Sequence, residues 1–315
     1  MRSPLKTRGI LLALAAALAA APALAPHPHD RQEDPAGARY LPPLTRAHAL
    51  HIGPRTWIVT MLRRTENGWA GLRAGRMVTL HDGDVIEPPR PRLYLLGTDS
   101  LGRDLLSRLL HAARHSMMVT VSVVLLALLL GICVGVSAGW LGGWWDAVLM
   151  RVVDGLLCLP RLVVYLACAV VVSPSTPMLI AVLAATTWTG LARILRTEVM
   201  ALKGSEMTMA ARALGCSTVR ITTRHLLPAM TPLVAVIASL RIADTILLES
   251  AVSFLGLGAP EPAVSLGGII ASARDGFPDS SWAVVWPGLA IILMVIGVRH
   301  AAAGTLGGRE GPSVA

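Results

Sequence analysis

From Met117 to Trp145 the chain carries no aspartate, glutamate, lysine or arginine. That run is longer than the about 20 apolar residues a helix needs to cross a bilayer core. In lipid, only helices and closed barrels satisfy their own backbone groups. The run therefore excludes a soluble fold for this part of the chain and predicts a helical membrane protein. Composition agrees, with 54% hydrophobic residues, 15% charged residues and a mean hydropathy of +0.61, where soluble domains carry about 25% charged residues. The net charge of +9 is almost all arginine, Lys6 and Lys203 being the only lysines. These cations lie between apolar stretches, as the positive-inside rule requires. They do not gather in one patch with aromatic residues, so membrane lipid is expected as a partner and nucleic acid is not.

Four more stretches read as spans: Val152–Ser173, interrupted by Asp154 and Pro160-Arg161, then Pro177–Ala192, Ala229–Gly258 and Ala283–Val298. Trp282 and Trp286 suit an interface, and Pro160 predicts a kink. Ile10–Ala25 follows Arg2, Lys6 and Arg8 and ends in an A-x-A pattern, which fits a cleaved secretory signal or a retained first helix. Pro26 after the site favours retention. Either way the residues from His27 to Arg114 are expected outside, the Trp140–Arg151 turn inside, 173–176 outside, 193–224 inside and 256–282 outside. The 193–224 loop holds six cations against two acids, and 256–282 one cation against three acids, which supports that order. The fold class expected is an all-α, multi-pass protein of the cell inner membrane with about six spans. Its parts are a first helix over 1–25, an outer insert and lead-in over 26–112, a transmembrane domain over 113–300 and a tail over 301–315.

Within the outer segment, Asn67-Gly68 and Asp82-Gly83 each follow a strand-like run and signal hairpins. They predict a small, partly β insert from about Ile52 to Glu87. His27 and His29 are expected on a solvated linker, since two ligands on a flexible chain make a poor metal site. Cys133, Cys158, Cys168 and Cys216 form no CxxC pattern and read as small core residues.

Between the third and fourth of these charge-poor runs lies a basic segment. Ser205 can cap a helix, with Glu206 at its positive end. Met207, Ala210, Ala211 and Leu214 follow at helical spacing and predict one apolar face, and Gly215 supplies a left-handed stop. Ser217 can cap a second short helix carrying Val219, Thr223, Leu226 and Leu227 on one side, with Pro228 opening the next span. The pattern taken alone also suits an amphipathic helix that lies on lipid.

The order of residues narrows this. Ala210-Ala211, Gly215 and Leu227-Pro228 stand at the spacings of the loop by which permeases of ATP-binding-cassette (ABC) importers engage their ATPases, and the segment resembles that loop. Met209 occupies the place of the motif's glutamate, Glu206 being the nearest acid, and His225 occupies its variable apolar position. "LGTDSLGRDLLSRLL" (Leu96–Leu110), "AGWLGGWWDAVLMRVVDGLLCLP" (Ala138–Pro160) and "ESAVSFLGLG" (Glu249–Gly258) are similar to stretches of permeases for dipeptides, oligopeptides and nickel. The resemblance implies the type I ABC importer transmembrane fold and a transport subunit that is not itself an enzyme. It further implies a second permease, two ATP-binding subunits and a periplasmic solute-binding protein as partners, with small peptides, or nickel and related solutes, as cargo. The coupling residues it implies are Glu206, Ala210, Ala211, Gly215, His225, Leu227 and Pro228.

The fourth of those runs holds Arg241, Asp244 and Glu249. A charge at the bilayer centre costs about 2.5–3.5 kcal/mol on insertion scales. Arg241 and Asp244 sit at i, i+3 and can pair, with Glu249 on a similar face. They line a translocation path or lie near the two surfaces against partner subunits. Arg151 and Asp154, also at i, i+3, are expected to form a structural ion pair, and Arg161 either snorkels or faces the pore. The chain has no Gly-Lys pair and so no P-loop, and it shows no catalytic motif. No cofactor, metal or catalytic residue is expected in this chain. Two rivals remain. An ion-coupled secondary transporter would use the intramembrane acids as proton sites, and a membrane-anchored sensor or assembly protein would work through its outer insert.

Overall fold

The computed structural model of the chain describes residues 21–278 and 280–306. They form two compact units. One comprises Met117–Glu249 and the described part of Met294–Ala315; the other comprises the described part of Ala15–Ser116 and Ser250–Leu293. The helices in chain order are α1 (Leu105–Leu141), α2 (Gly143–Leu157), α3 (Arg161–Val171), α4 (Thr176–Lys203), α5 (Glu206–Ala213), α6 (Thr218–Phe254), α7 (Leu266–Ala273) and α8 (Trp282–Leu306). Among the described residues α1, α4, α6 and α8 are long and apolar enough to cross a membrane. The α2–α3 pair, bent by 80°, makes a fifth if counted as one span. Of the Ile10–Ala25 stretch, a helical turn at Ala21–Leu24 is described and the rest lies outside the described residues.

In the first unit, α1 and α4 pack with backbones in near contact. Gly131, Gly135 and Gly139 lie one helical turn apart on α1. A methyl on Gly131 would stand 2.8 Å from the Leu191 Cβ, one on Gly135 2.6 Å from the Ala192 carbonyl oxygen, and one on Gly139 2.7 Å from the Arg196 carbonyl oxygen. Small residues at four-residue spacing permit this approach in membrane helices, where packing replaces the hydrophobic drive. Ile132, Val136 and Trp140 of α1 then pack on the cluster containing Leu195 and Val199 of α4.

The α4 helix runs to Lys203, well past the expected end at Ala192. Arg193 and Arg196 are therefore helix residues, not loop residues. Arg196 forks onto Asp146 of α2, and Arg193 pairs with Asp154. The expected Arg151–Asp154 pair is replaced by this bond between helices, because α2 lies against α4 and offers Asp154 a nearer guanidinium. None of the four cysteines is buried in this chain; Cys133 and Cys158 are exposed.

The second unit carries a five-stranded antiparallel sheet in the order β4-β3-β2-β1-β5. Its strands are β1 (Thr45–Ile52), β2 (Arg55–Thr65), β3 (Gly68–Arg73), β4 (Arg76–His81) and β5 (Arg90–Tyr94). The sheet is wider than the expected Ile52–Glu87 insert at both ends. Glu66-Asn67 makes the two-residue turn of the β2–β3 hairpin, Gly68 already pairing with Thr65, whereas Asp82-Gly83 opens a 3-10 turn leading away from β4. β5 pairs with β1, so the chain after β4 must cross over, and a tight turn at Asp82 would send it back along β4. The segment before the sheet is ordered, not a solvated linker: His27 stacks on Tyr94 at 5.4 Å and His29 on His111 at 3.9 Å.

Asp34 clamps that segment to the sheet. Its carboxylate accepts the Gly37 and Ile58 amides at 3.0 and 2.8 Å and both prongs of Arg73 at 3.0 and 2.8 Å. Burial alone would raise its pKa, but the Arg73 fork and the two amides outweigh burial and hold it below the usual carboxylate range.

Two tests follow from this packing. Gly135→Leu must push the α1 and α4 backbones apart; overpacking costs about 1–3 kcal/mol or more. The yield and Tm of the detergent-purified chain should fall, while Gly155→Ala, which meets nothing, leaves both unchanged. A carboxylate with a lowered folded pKa contributes stability above its unfolded pKa and loses it as pH falls through the folded value. Protection of the Gly37 and Ile58 amides from hydrogen exchange should therefore weaken below about pH 4. Asp34→Asn should weaken it at all pH values and flatten the dependence.

Candidate functional site

The basic segment folds into a small knob. Ser205 caps α5, its hydroxyl accepting the Thr208 amide, and itself donates to the Leu202 carbonyl. The helix ends in a double bond: the Gly215 amide reaches the Arg212 carbonyl at 2.9 Å, and the Cys216 amide reaches that of Ala211 at 3.1 Å. This is the Schellman arrangement, which needs a left-handed residue, and Gly215 supplies it at φ 76°.

The expected single apolar face is split in the structure. Thr208 and Ala211 turn inward, and Ala211 joins Ile221, Leu226 and Met230 in the cluster with Leu195 and Val199. Met207, Ala210 and Leu214, expected to share Ala211's apolar face, are exposed, as is Met209; Leu214 is 84% exposed. The bundle accepts small residues here because the approach is close. The large apolar side chains are left facing out.

The expected second short helix is instead the start of α6. Ser217 caps Thr218–Ile221, and the chain then passes through a π turn at Thr222–Leu226 into the long helix. Pro228 lacks an N–H and crowds the carbonyl four residues back, and the widened turn just before it accommodates that. Val219 points outward at 71% exposure while Leu226 is fully buried, so they do not share a face. His225 lies half-buried on the π turn.

Trp140 at the end of α1 anchors the knob. Arg212 lies over its ring at 4.9 Å, and the Lys203 ammonium donates to its carbonyl at 2.5 Å.

Of the intramembrane charges, the structure brings Arg241 and Asp244 together at 3.7 Å. Glu249 differs from them, being fully buried and within electrostatic reach of buried Tyr165. Arg161 follows the break at Pro160 and lies within electrostatic reach of Arg241 and Asp244. In the second unit the Leu96–Leu110 stretch forms a buried ion network. Asp99 accepts the Leu101 and Arg103 amides and the Arg103 Nε, and Arg108 lies 3.3 Å away. Arg103 extends to Glu261 at 2.7 Å. That hydrogen bond, working against burial, lowers the Glu261 pKa. Asp104 accepts the Ser107 amide at the start of α1.

Residues 131–302 match the protein family described as the binding-protein-dependent transport system inner membrane component. The chain belongs to that family. It is a permease subunit of an ABC importer and a component of the inner membrane. The permease is 35% identical over 211 residues to a chain of Brucella suis biovar 1 named as a peptide permease protein, the match covering 65% of this chain and 69% of the relative. It is 37% identical over 207 residues to the di/tripeptide transport system permease protein of Pseudomonas aeruginosa, covering 65% and 68%. Its backbone also matches an inward-facing methionine ABC transporter, with a TM-score of 0.49, 15% identity, and coverage of 62% of this chain and 95% of that one.

Sequence reasoning missed Trp140 and the three α1 glycines that place the knob. The glycines' four-residue spacing, with Trp140 directly after the last of them, was the available signal. It also missed Arg196–Asp146, which joins residues far apart in the chain.

A Cβ on Gly215 would meet nothing within 4 Å, so its backbone conformation alone demands glycine. Left-handed geometry costs other residues about 1–2 kcal/mol, and asparagine tolerates it best. Gly215→Val should lower the Tm of the purified permease and its transport rate, and Gly215→Asn should restore most of both.

Proposed function

We propose that this permease forms half of a translocation pore for small peptides and that ATPase subunits drive it through the knob over residues 206–219. The single observation carrying the coupling role is the outward set Met207, Met209, Leu214 and Val219 on a knob whose base is fixed in the bundle. An exposed apolar patch with a polar rim is a docking surface, and Arg212, Arg220 and Arg224 supply the rim. Glu206, Ala210, Ala211, Gly215, His225, Leu227 and Pro228 shape it: an acid in the first turn, Ala210 on the outward side, Ala211 where the knob meets the bundle, a hinge and a widened turn behind. Motion of the docked ATPases would be passed to α4 and α6 through Ala211, Ile221 and Leu226.

The rest of the assembly follows the family. A second permease completes the pore, two ATP-binding subunits lie on the inner face, and a solute-binding protein delivers cargo from outside. The architecture is the type I transmembrane fold with about six spans, and the five-stranded sheet lies on the periplasmic side. Peptides are the cargo best supported, since relatives at 35% and 37% identity carry peptide-permease names.

The test is Leu214→Asp. With its side chain outside the core, the substitution should leave the amount and Tm of the chain unchanged. Recovery of ATPase subunits with the tagged permease should fall tenfold or more, and peptide uptake with it. Unchanged recovery and uptake would overturn the docking assignment.

A further inference from the structure

The α2–α3 break sets an arginine among charges of the spanning helices. Leu159 and Pro160, at the break, are exposed in this chain. Non-helical backbone at membrane depth persists only where protein covers it or where it lines water. Arg161 follows directly, half-buried, with no hydrogen bond or ion pair of its own among the described residues. It lies within electrostatic reach of Arg241 and Asp244 on α6. Arg241 in turn backs onto Gly190 of α4, where a methyl would stand 2.8 Å from its Nη2. That glycine leaves room for the guanidinium, which is 19% exposed. The Arg241–Asp244 pair at 3.7 Å is an ion pair longer than a hydrogen bond, and Asp244 is 49% exposed. Two guanidiniums thus lie within electrostatic reach of one half-exposed carboxylate, only Arg241 pairing with it, which leaves donors to spare and an excess positive charge. An arginine fork matches a second carboxylate in geometry and charge, and intramembrane charges of this kind mark solute pathways.

We infer that Arg161, just after the α2–α3 break, and Arg241, given room by Gly190, form a station in the permease that takes the C-terminal carboxylate of a passing peptide. The inference rests on the peptide reading above and adds to it a chemical requirement on the cargo. Arg161 is the residue free to bind, and Arg241 holds Asp244 beside it and adds charge. Glu249 is not part of the station.

The experiment uses the complete importer in proteoliposomes, with trialanine and its C-terminal amide as probes. Uptake of each is measured for wild type, Arg161→Gln and Arg161→Lys, after equal recovery of assembled complex has been checked. The solute-binding protein's own preference cancels, because the same protein feeds every variant. Arg161→Gln should lower trialanine uptake about tenfold and change amide uptake less than twofold, so that the preference for the acid shrinks. Arg161→Lys, which keeps the charge and loses the fork, should fall between. An acid-to-amide ratio equal to that of wild type in both variants overturns the inference and leaves the peptide reading standing. An Arg161→Gln complex that fails to assemble, while Arg161→Lys assembles with the wild-type ratio, overturns it as well, because the arginine is then structural. Absence of uptake of both probes by the wild-type importer overturns the peptide reading and the inference together.

Discussion

The close approach of α1 to α4 depends on Gly131, Gly135 and Gly139, whose missing side chains admit the Leu191, Ala192 and Arg196 backbone or Cβ atoms. Everything at the knob is referred to that contact. It brings Trp140 beside the end of α4, where Lys203 bonds its carbonyl and Arg212 covers its ring. With Arg212 held there, α5 can present only Thr208 and Ala211 inward. Its larger apolar residues must then face outward, which is what a docking surface requires. A single methyl on the α1 stripe would act on the knob through the helices between.

Charge is handled differently at different places in the chain. Asp146 and Asp154 of α2 are neutralised by Arg196 and Arg193 of α4, so these acids tie two helices together. In the other unit, Asp99 gathers two amides and two arginines, and Asp34 gathers two amides and the Arg73 fork. Buried carboxylates persist in such settings because each lone pair is matched. Arg161 stands apart from this pattern, and its open donors set the requirement argued for the cargo.

The rough positions of the later apolar helices were legible in the sequence, because hydropathy over a long window reports transfer into lipid directly. So were the caps at Ser205 and Ser217 and the left-handed Gly215, since each depends on residues within one turn. Helix ends were less legible. The end of α4 was placed at Ala192 because Arg193 and Arg196 look like loop charges until their acids on α2 are known. The knob's orientation could not be read from Met207, Ala210, Ala211 and Leu214. Helical spacing groups these residues within one arc of the helix but does not show which edge of that arc meets the bundle; Ala211 at the edge turns in and the other three face out. In a soluble helix the apolar stripe would face the core; here close backbone packing selects the small residues. The sheet was seen in part, through Asn67-Gly68, while the pairing of β5 with β1 joins strands whose long separation hides it from local patterns.

The central claim is that the outward face of α5 meets an ATPase subunit and moves with it. Cysteine placed at Leu214 in a permease otherwise free of cysteine, assembled into the importer, tests it most directly. The account predicts a short-span crosslink from position 214 to an ATPase chain, with a yield that changes when a non-hydrolysable ATP analogue is added. It further predicts protection from a membrane-impermeant thiol reagent applied to intact cells. Modification at 214 by that reagent from the periplasmic side, or a crosslink to lipid-facing or periplasmic partners alone, would contradict it.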